Sequence, residues 1–358
     1  MDGVVPAALA DLDLPAVADQ LTNWGFKPSH AAHVLRTYYA TGGNLLAAGL
    51  PWPRGLAQRL HQDFPGAAQI AERQVAVDGT TKLLLRLDDG RTVESVLMPD
   101  FRPDRAAGCL SSQVGCAMGC DFCATTRTGF ERNLTAGEMV EQFLALRREA
   151  QAVGRTVQTV VFMGMGEPML NLDAVLTAVR RLAENPLGAL GWRQITVSTV
   201  GIIPGIEALA ATGLNINLAV SLHAPDDATR AQLLPVGKRF PIGDILAAAD
   251  RFQAKRGRPV TIQYCLLSGV NDSEEQARQL AAVLGRRRMH VNLLRYNPTG
   301  LSLRGQDYQP STDLRAENFA AVLQREQIVT HFRRSRGPDI DAACGQLRRR
   351  AATPGAAI

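Results

Sequence analysis

Cys116, Cys120 and Cys123 stand together in the run Gly115-Cys-Ala-Met-Gly-Cys-Asp-Phe-Cys123. The C-x3-C-x2-C spacing puts three soft thiolate donors on one short loop, a set that suits iron–sulfur chemistry or zinc. Three thiolates can hold three irons of a [4Fe–4S] cube and leave the fourth iron open, a position that a four-cysteine cluster lacks. S-adenosylmethionine (SAM) can chelate such an iron through its amino and carboxylate groups. One electron from the cube then cleaves the sulfonium to a 5′-deoxyadenosyl radical. The competing assignment is zinc. Cys109 lies seven residues before Cys116 and could complete a four-thiolate site, although zinc sites usually pair two ligand knuckles across a longer gap.

Other residue types along the chain could serve a SAM site. Gly164-Met165-Gly166-Glu167-Pro168 combines close backbone approach with a carboxylate. Ser198, Ser221-Leu222-His223 and Asn297 add hydroxyls, an imidazole and an amide. Glu167 could take the SAM amino group, and the hydroxyls and Asn297 its ribose and carboxylate. Each has an ordinary reading when taken singly: a Gly-x-Gly turn is most often only a turn, and a lone histidine most often a satisfied core residue. Cys344, in an Arg-flanked segment, could be an idle surface thiol, and Glu94 a polar residue on a strand face. Cys265, inside Tyr264-Cys-Leu-Leu267, reads as buried packing.

The elements that must position these residues follow from periodicity. Residues 1–75 read as a small helical module, with helices over Leu14–Trp24 and from Ser29 toward Tyr39. Its aromatic and basic residues (Trp24, Phe26, Tyr38, Tyr39, Arg36 and Lys27) could stack bases and hold phosphates, but at helical spacing most of them read as a small core. Residues 76–104 carry a β-hairpin signal, Thr81–Leu87 and Thr92–Met98 around Asp88-Asp89-Gly90-Arg91. From 105 to 335 apolar strands alternate with helices. The strand candidates are Leu110–Val114, Val157–Met163, Ile195–Thr199, Ile216–Leu222, Val260–Leu266 and Val291–Leu294. Such units predict an α/β fold, a parallel sheet with right-handed crossovers. Six units are too few for a closed eight-strand barrel, so a partial (β/α)6 barrel is expected, with chemistry at the carboxyl ends of the strands. The motifs obey that rule, since each follows or ends a strand candidate. Residues 336–358 form a last segment with Cys344 and a basic tail.

The bulk numbers agree with a globular protein. The 358 residues are 46% hydrophobic and 20% charged, ample for a sizeable core. No apolar run is long enough to span a bilayer, no secretory signal is seen at the N-terminus, and six cysteines are too sparse for a disulfide scaffold. A reducing, cytoplasmic location is expected. A net charge of +5 is compatible with a polyanionic partner without demanding one. Arginines crowd the last third, at 286–288, 333–334, 336 and 348–350.

Several strings together resemble the RlmN/Cfr family of radical-SAM RNA (adenine) methyltransferases, and RlmN most. They are Cys109 through Cys123, Gly129-Phe-Glu-Arg-Asn-Leu-Thr135, Gly164 through Pro168, Val220-Ser-Leu-His-Ala-Pro225 and Asp339-Ile-Asp-Ala-Ala-Cys-Gly-Gln346. The resemblance covers almost the whole chain from about residue 80. It implies a [4Fe–4S] cluster on Cys116, Cys120 and Cys123. It also implies SAM contacts at Gly166, Glu167, Ser198, Ser221, Leu222, His223 and Asn297. RlmN-type members methylate carbon 2 of an adenosine in 23S rRNA, and many also modify a tRNA adenosine; Cfr-type members methylate carbon 8. The family route uses two SAM molecules per turnover. Cys344 matches the cysteine that carries the methyl group, Cys109 the thiol that releases product through a transient disulfide, and Glu94 a proton acceptor. A flavodoxin or ferredoxin as reductant, and a monomer with no membrane partner, complete the expectation. A zinc-stabilised RNA-binding protein is the non-enzymatic alternative. The chain departs from the family pattern at Ala124-Thr125-Thr126-Arg127, in the altered and lengthened stretch after Asn297-Pro298, and at Pro338.

Overall fold

Two hydrogen-bonding patterns meet in one sheet. The structure, a computed structural model, describes residues 8–46, 52–66, 68–183, 190–333 and 336–340. Cys344 and the last arginine cluster lie outside the described residues. Helices α1 (Leu14–Asn23), α2 (Ala31–Ala40) and α3 (Leu56–Asp63) come first. Asp13 starts α1 by accepting the Ala16 amide at 2.8 Å. Strands β1 (Ala68–Val75), β2 (Thr81–Leu87), β3 (Thr92–Pro99) and β4 (Arg105–Cys109) then pair antiparallel in succession. The expected hairpin is therefore part of a meander. β1 is hard to read in sequence because Ala68–Val75 is half polar and mostly exposed at a sheet edge.

After β4 the chain makes a small two-stranded pair, β5 (Gln113–Gly115) and β6 (Phe130–Asn133), around the cysteine loop. Helix α4 (Ala136–Ala152) follows, then β7 (Thr156–Phe162), α5 (Leu172–Ala183), β8 (Ile195–Thr199), α6 (Ile203–Ala211) and β9 (Asn217–Ser221). The rest is α7 (Asp227–Leu233), α8 (Ile242–Arg256), β10 (Val260–Leu266), α9 (Glu274–Leu284), β11 (Met289–Arg295), α10 (Asp313–Arg325) and β12 (Thr330–Arg333). The order β4-β7-β8-β9-β10-β11-β12 is parallel throughout, in a ten-stranded sheet. The edge strand β12 thus adds a seventh parallel strand to the six expected.

The first parallel strand is also displaced. It runs over Arg105–Cys109, not Leu110–Val114. Arg-Ala-Ala-Gly-Cys lacks the β-branched and aromatic residues that mark strands, so sequence pattern alone prefers the apolar stretch after it. Gly108 sits close under α4, where a Cβ would lie 3.1 Å from the Leu146 side chain. Past Leu110 the chain leaves the ladder, since Ser111 and Gln113 find other partners.

Side-chain caps start the crossover helices. Thr135 and Glu138 form a capping box at α4, Ser273 and Gln276 one at α9, and Asp226 and Thr312 cap α7 and α10. Helix α4 is buried continuously from Gly137 to Leu146. It is covered from two sides, by the sheet and by the N-terminal residues. Asp11 accepts the Gly137 amide at 2.8 Å, adding a second cap from the N-terminal module. Tyr38 and Tyr39 are buried, and Trp24 and Phe26 pack against the same core, whereas Arg36 and Lys27 are exposed.

Candidate functional site

At the carboxyl ends of the parallel strands lies a cavity of about 300 Å³, the scale of a small-molecule site. Its wall takes Cys116, Cys120 and Cys123 from the cysteine loop, Gly166 and Glu167 from the turn after β7, and Ser198 from β8. Ser221 and His223 at the end of β9 and Asn297 after β11 complete it. Leu222 differs: its side chain is fully buried in the core, and its amide donates to Gln263 at 3.0 Å.

The cysteine loop is closed by its own backbone. The Cys116 amide donates to Gly129 at 2.9 Å, and the Cys123 amide to Cys120 at 3.0 Å. Gly115 has φ 75°, and a Cβ there would sit 1.8 Å from the Gly129 carbonyl, so only glycine closes the loop. Asp121 fastens the loop to α7, its amide donating to Leu233 at 2.9 Å. Burial pushes the Cys116 thiol up to about 12 and Cys120 well above the ordinary thiol range; the charge of Cys123 acts on both in the same direction. Such thiols keep their protons until a cation arrives, as iron would. Among the described residues no three His, Cys, Asp or Glu side chains form a group that could hold a single metal ion. A cube takes one thiolate at each of three corners, so its ligands must ring a space and not meet at a point. Three soft donors on one cavity wall fit that requirement.

Glu167 spans two strands. Its Oε1 accepts from the Met169 amide at 3.0 Å and its Oε2 from Val200 at 2.8 Å, tying the end of β7 to the end of β8. Burial raises it to about 7 against the pull of those amides. Gly166, at φ 98°, leaves no room for a side chain: a Cβ would lie 2.6 Å from Gln113. His223 takes a left-handed conformation, φ 59°, unusual for a side chain of this size. Its Nδ1 accepts the Cys265 amide at 2.9 Å, so the neutral ring carries its proton on Nε2, and burial with the Arg230 charge holds it down at about 3. Phe122 packs edge-on against the ring, with centroids 5.1 Å apart.

Glu94 and Cys109 lie together beside the cavity, outside its lining. Val96 pairs with Cys109 across β3 and β4, and Glu94 is buried two residues away. Burial pushes the Cys109 thiol up to about 12, the charge of Glu94 adds to this, and the Met163 amide opposes it. Met163 is itself on the cavity wall. Asp339, five residues before Cys344, accepts the Val77 amide at 2.9 Å. That bond pins the start of the C-terminal segment to the antiparallel side of the sheet, the side that carries Glu94.

Sequence reasoning missed the residues behind the wall. Gln142 of α4 accepts from the Ser95 hydroxyl (2.9 Å) and the Ser111 amide (2.8 Å), and donates to the Ser111 carbonyl at 3.1 Å. Ser111 in turn donates to the Glu94 carbonyl at 2.6 Å and accepts the Met165 amide at 2.9 Å. One glutamine therefore orients both the strand of Glu94 and the turn of Gly166. The signal was available, since Gln142 falls at helical spacing from Met139 and Leu146 on a buried face. Cys265 is buried as expected, yet it also lines the cavity. The stretch after Asn297 is bonded to the cysteine loop. Arg127 donates to Thr299 and Gly300, while Asp121 accepts from Ser302 (2.9 Å), the Arg304 amide (3.2 Å) and Tyr308 (2.8 Å).

Three kinds of comparison with known proteins agree. The model of the Radical SAM superfamily matches residues 110–281. The chain is 73% identical over 342 residues to a protein of Opitutus terrae named "Probable dual-specificity RNA methyltransferase RlmN 1", covering 95% of this chain and 96% of that one. It is 43% identical over 350 residues to the "Probable dual-specificity RNA methyltransferase RlmN" of Symbiobacterium thermophilum, covering 96% and 91%. Among solved structures it resembles a radical SAM methyltransferase from Sphaerobacter thermophilus, with a TM-score of 0.87, 41% identity, and 95% and 99% of the two chains covered. With a cysteine loop at the mouth of a mostly parallel sheet and relatives matched over nearly its full length, the chain belongs to the RlmN family of radical SAM RNA methyltransferases.

Proposed function

We propose that the chain methylates carbon 2 of adenosines in 23S rRNA and tRNA, with Cys344 as methyl carrier, Cys109 as the releasing thiol and two SAM molecules used per turnover. The observation that carries this reading is that the three-cysteine loop lines the cavity at the carboxyl ends of the strands and the Glu94–Cys109 pair lies beside that cavity. Carbon 2 of adenine is electron-poor and does not displace a methyl group from a sulfonium in a polar reaction. When bound, a [4Fe–4S] cluster and SAM supply the one-electron sulfonium cleavage that a radical route needs.

Every other part of the work falls to side chains. Cys116, Cys120 and Cys123 hold the cluster. Gly166 and Leu222 offer backbone to SAM, Glu167 takes its amino group, and Ser198, Ser221, His223 and Asn297 orient the rest, His223 donating through Nε2. Cys109, partly buried, rests as a thiol because desolvation holds its proton. Once it loses its proton, its sulfur attacks that of Cys344; an S–S bond forms as the bond from Cys344 to the product carbon breaks, and the electron pair of that bond stays with the carbon, which takes up a proton to complete the methyl group. Glu94 accepts the proton that leaves carbon 2. The target base must leave its stack to reach the cavity, which costs about a few kcal/mol. A flavodoxin- or ferredoxin-type reductant and a cytoplasmic monomer complete the reading.

Isomer-resolved mass spectrometry of 23S rRNA and tRNA, with and without the gene, tests it. The expected product is 2-methyladenosine in both; 8-methyladenosine, or no change, overturns the assignment. Cys344→Ala should abolish methyl transfer with cluster iron unchanged, and Cys109→Ala should leave protein covalently attached to RNA.

A further inference from the structure

Arg230, on α7, is fully buried. Its Nη1 donates to the Phe240 carbonyl at 3.3 Å and its Nη2 to the Val200 carbonyl, while its Nε has no partner among the described residues. Both acceptors are neutral. The cradle is shaped for the guanidinium: a Cβ at Gly201 would lie 3.3 Å from Nη2, and one at Gly237 3.1 Å from Nη1. A cation sealed from water is costly unless an opposite charge faces it. Asp227, whose charge reaches Arg230, supplies part of the opposite charge while its Oδ1 accepts the Ile242 amide at 2.7 Å. Burial pulls the guanidinium down to about 10, so it is still charged at neutral pH.

A further counter-charge lies toward the cavity. Val200 and Leu234 form part of its wall, and Leu233 and Leu234 pack in one cluster with Cys120. The charge of Cys120 is felt at Arg230, and that of Arg230 at Cys120. A neutral thiol cannot balance a cation. Three thiolates around an iron–sulfur cube carry net negative charge, and reduction adds one more.

We infer that Arg230 is the buried counter-charge of the cluster at its Cys120 corner, a positioning residue that favours the reduced cluster and its retention without touching SAM or RNA. This rests on the cysteine loop holding a cluster; wild-type protein that takes up no iron would sink that premise and leave the charge argument aside.

The test compares anaerobically reconstituted wild type, Arg230→Met and Arg230→Lys by iron and sulfide content and by reductive titration followed by electron paramagnetic resonance. Arg230→Met is expected to shift the reduction equilibrium about tenfold toward the oxidised cluster, about 59 mV for one electron, and to lose iron faster to a chelator. Arg230→Lys, which keeps a charge, is expected to hold a potential closer to wild type. A Met variant with a full cluster and the wild-type potential overturns the inference. So does a Lys variant as low as Met, because shape and not charge would then matter. Failure of both variants to fold without cluster overturns it as well, since the residue would then be holding the fold.

Discussion

A carboxyl group sealed from water prefers to keep its proton, and the two amides on Glu167 only partly offset that preference. Its ordinary value is 4.5 and its folded value about 7, so between those limits the folded chain binds more protons than the unfolded one. Stability from this group is therefore fully present below about pH 4.5 and is lost as pH rises to about 7, by up to about 3 kcal/mol. Denaturant unfolding of cluster-free protein at pH 4.5, 6 and 8 should show that fall, and Glu167→Gln should flatten it. Equal slopes in the two proteins would exclude Glu167 as the source. The residue itself was legible, because it follows a strand in a glycine turn. Its two amide partners were not. Val200 ends a different strand, and only the sheet order brings it there. Gln142 and Arg230 escaped for a related reason: each is a polar residue on a helix whose buried neighbours come from distant segments.

At the scale of elements, apolar periodicity located most strands and helices, and it failed where composition and pairing disagree. The strand Arg105–Cys109 is poor in strand-forming residues, yet it is held between β3 and β7. The edge strands β1 and β12 lack the buried alternation that makes a strand readable. The cysteine loop depends on local geometry. Gly115→Ala should force Gly129 aside and lower iron retention severalfold, with far-ultraviolet circular dichroism of the cluster-free protein near wild type; unchanged iron content would show that the loop tolerates opening. The stretch from Thr299 to Tyr308 depends on Asp121, whose buried carboxylate takes three donors. Bonds to a charged group contribute about 1.5–3 kcal/mol, so Asp121→Ala should speed limited proteolysis within residues 299–308 by roughly tenfold or more. Cleavage at the wild-type rate would argue that other contacts hold the stretch.

For the whole molecule, one large buried apolar cluster draws residues from Ala8 through Ile328, beside a smaller one at the cysteine loop. The N-terminal helices share it with α4, and Asp11 stands at that junction. Unfolding should therefore be a single event. Circular dichroism and the fluorescence of Trp24, Trp52 and Trp192, two from the N-terminal module and one from the barrel, should give coincident curves. Asp11→Ala should lower stability by about 1 kcal/mol, the value of a helix cap, without separating the curves. An early transition confined to the first two tryptophans would reveal a module that melts alone. Arg127 and Asp121 carry one more consequence. Both reach from the cysteine segment to the stretch beyond Asn297, so the two segments are stitched to each other. Chimaeras should respect the seam: transplanting either piece singly would strand a carboxylate or a guanidinium without its acquaintances, whereas moving the two as a set would carry the whole fastening across.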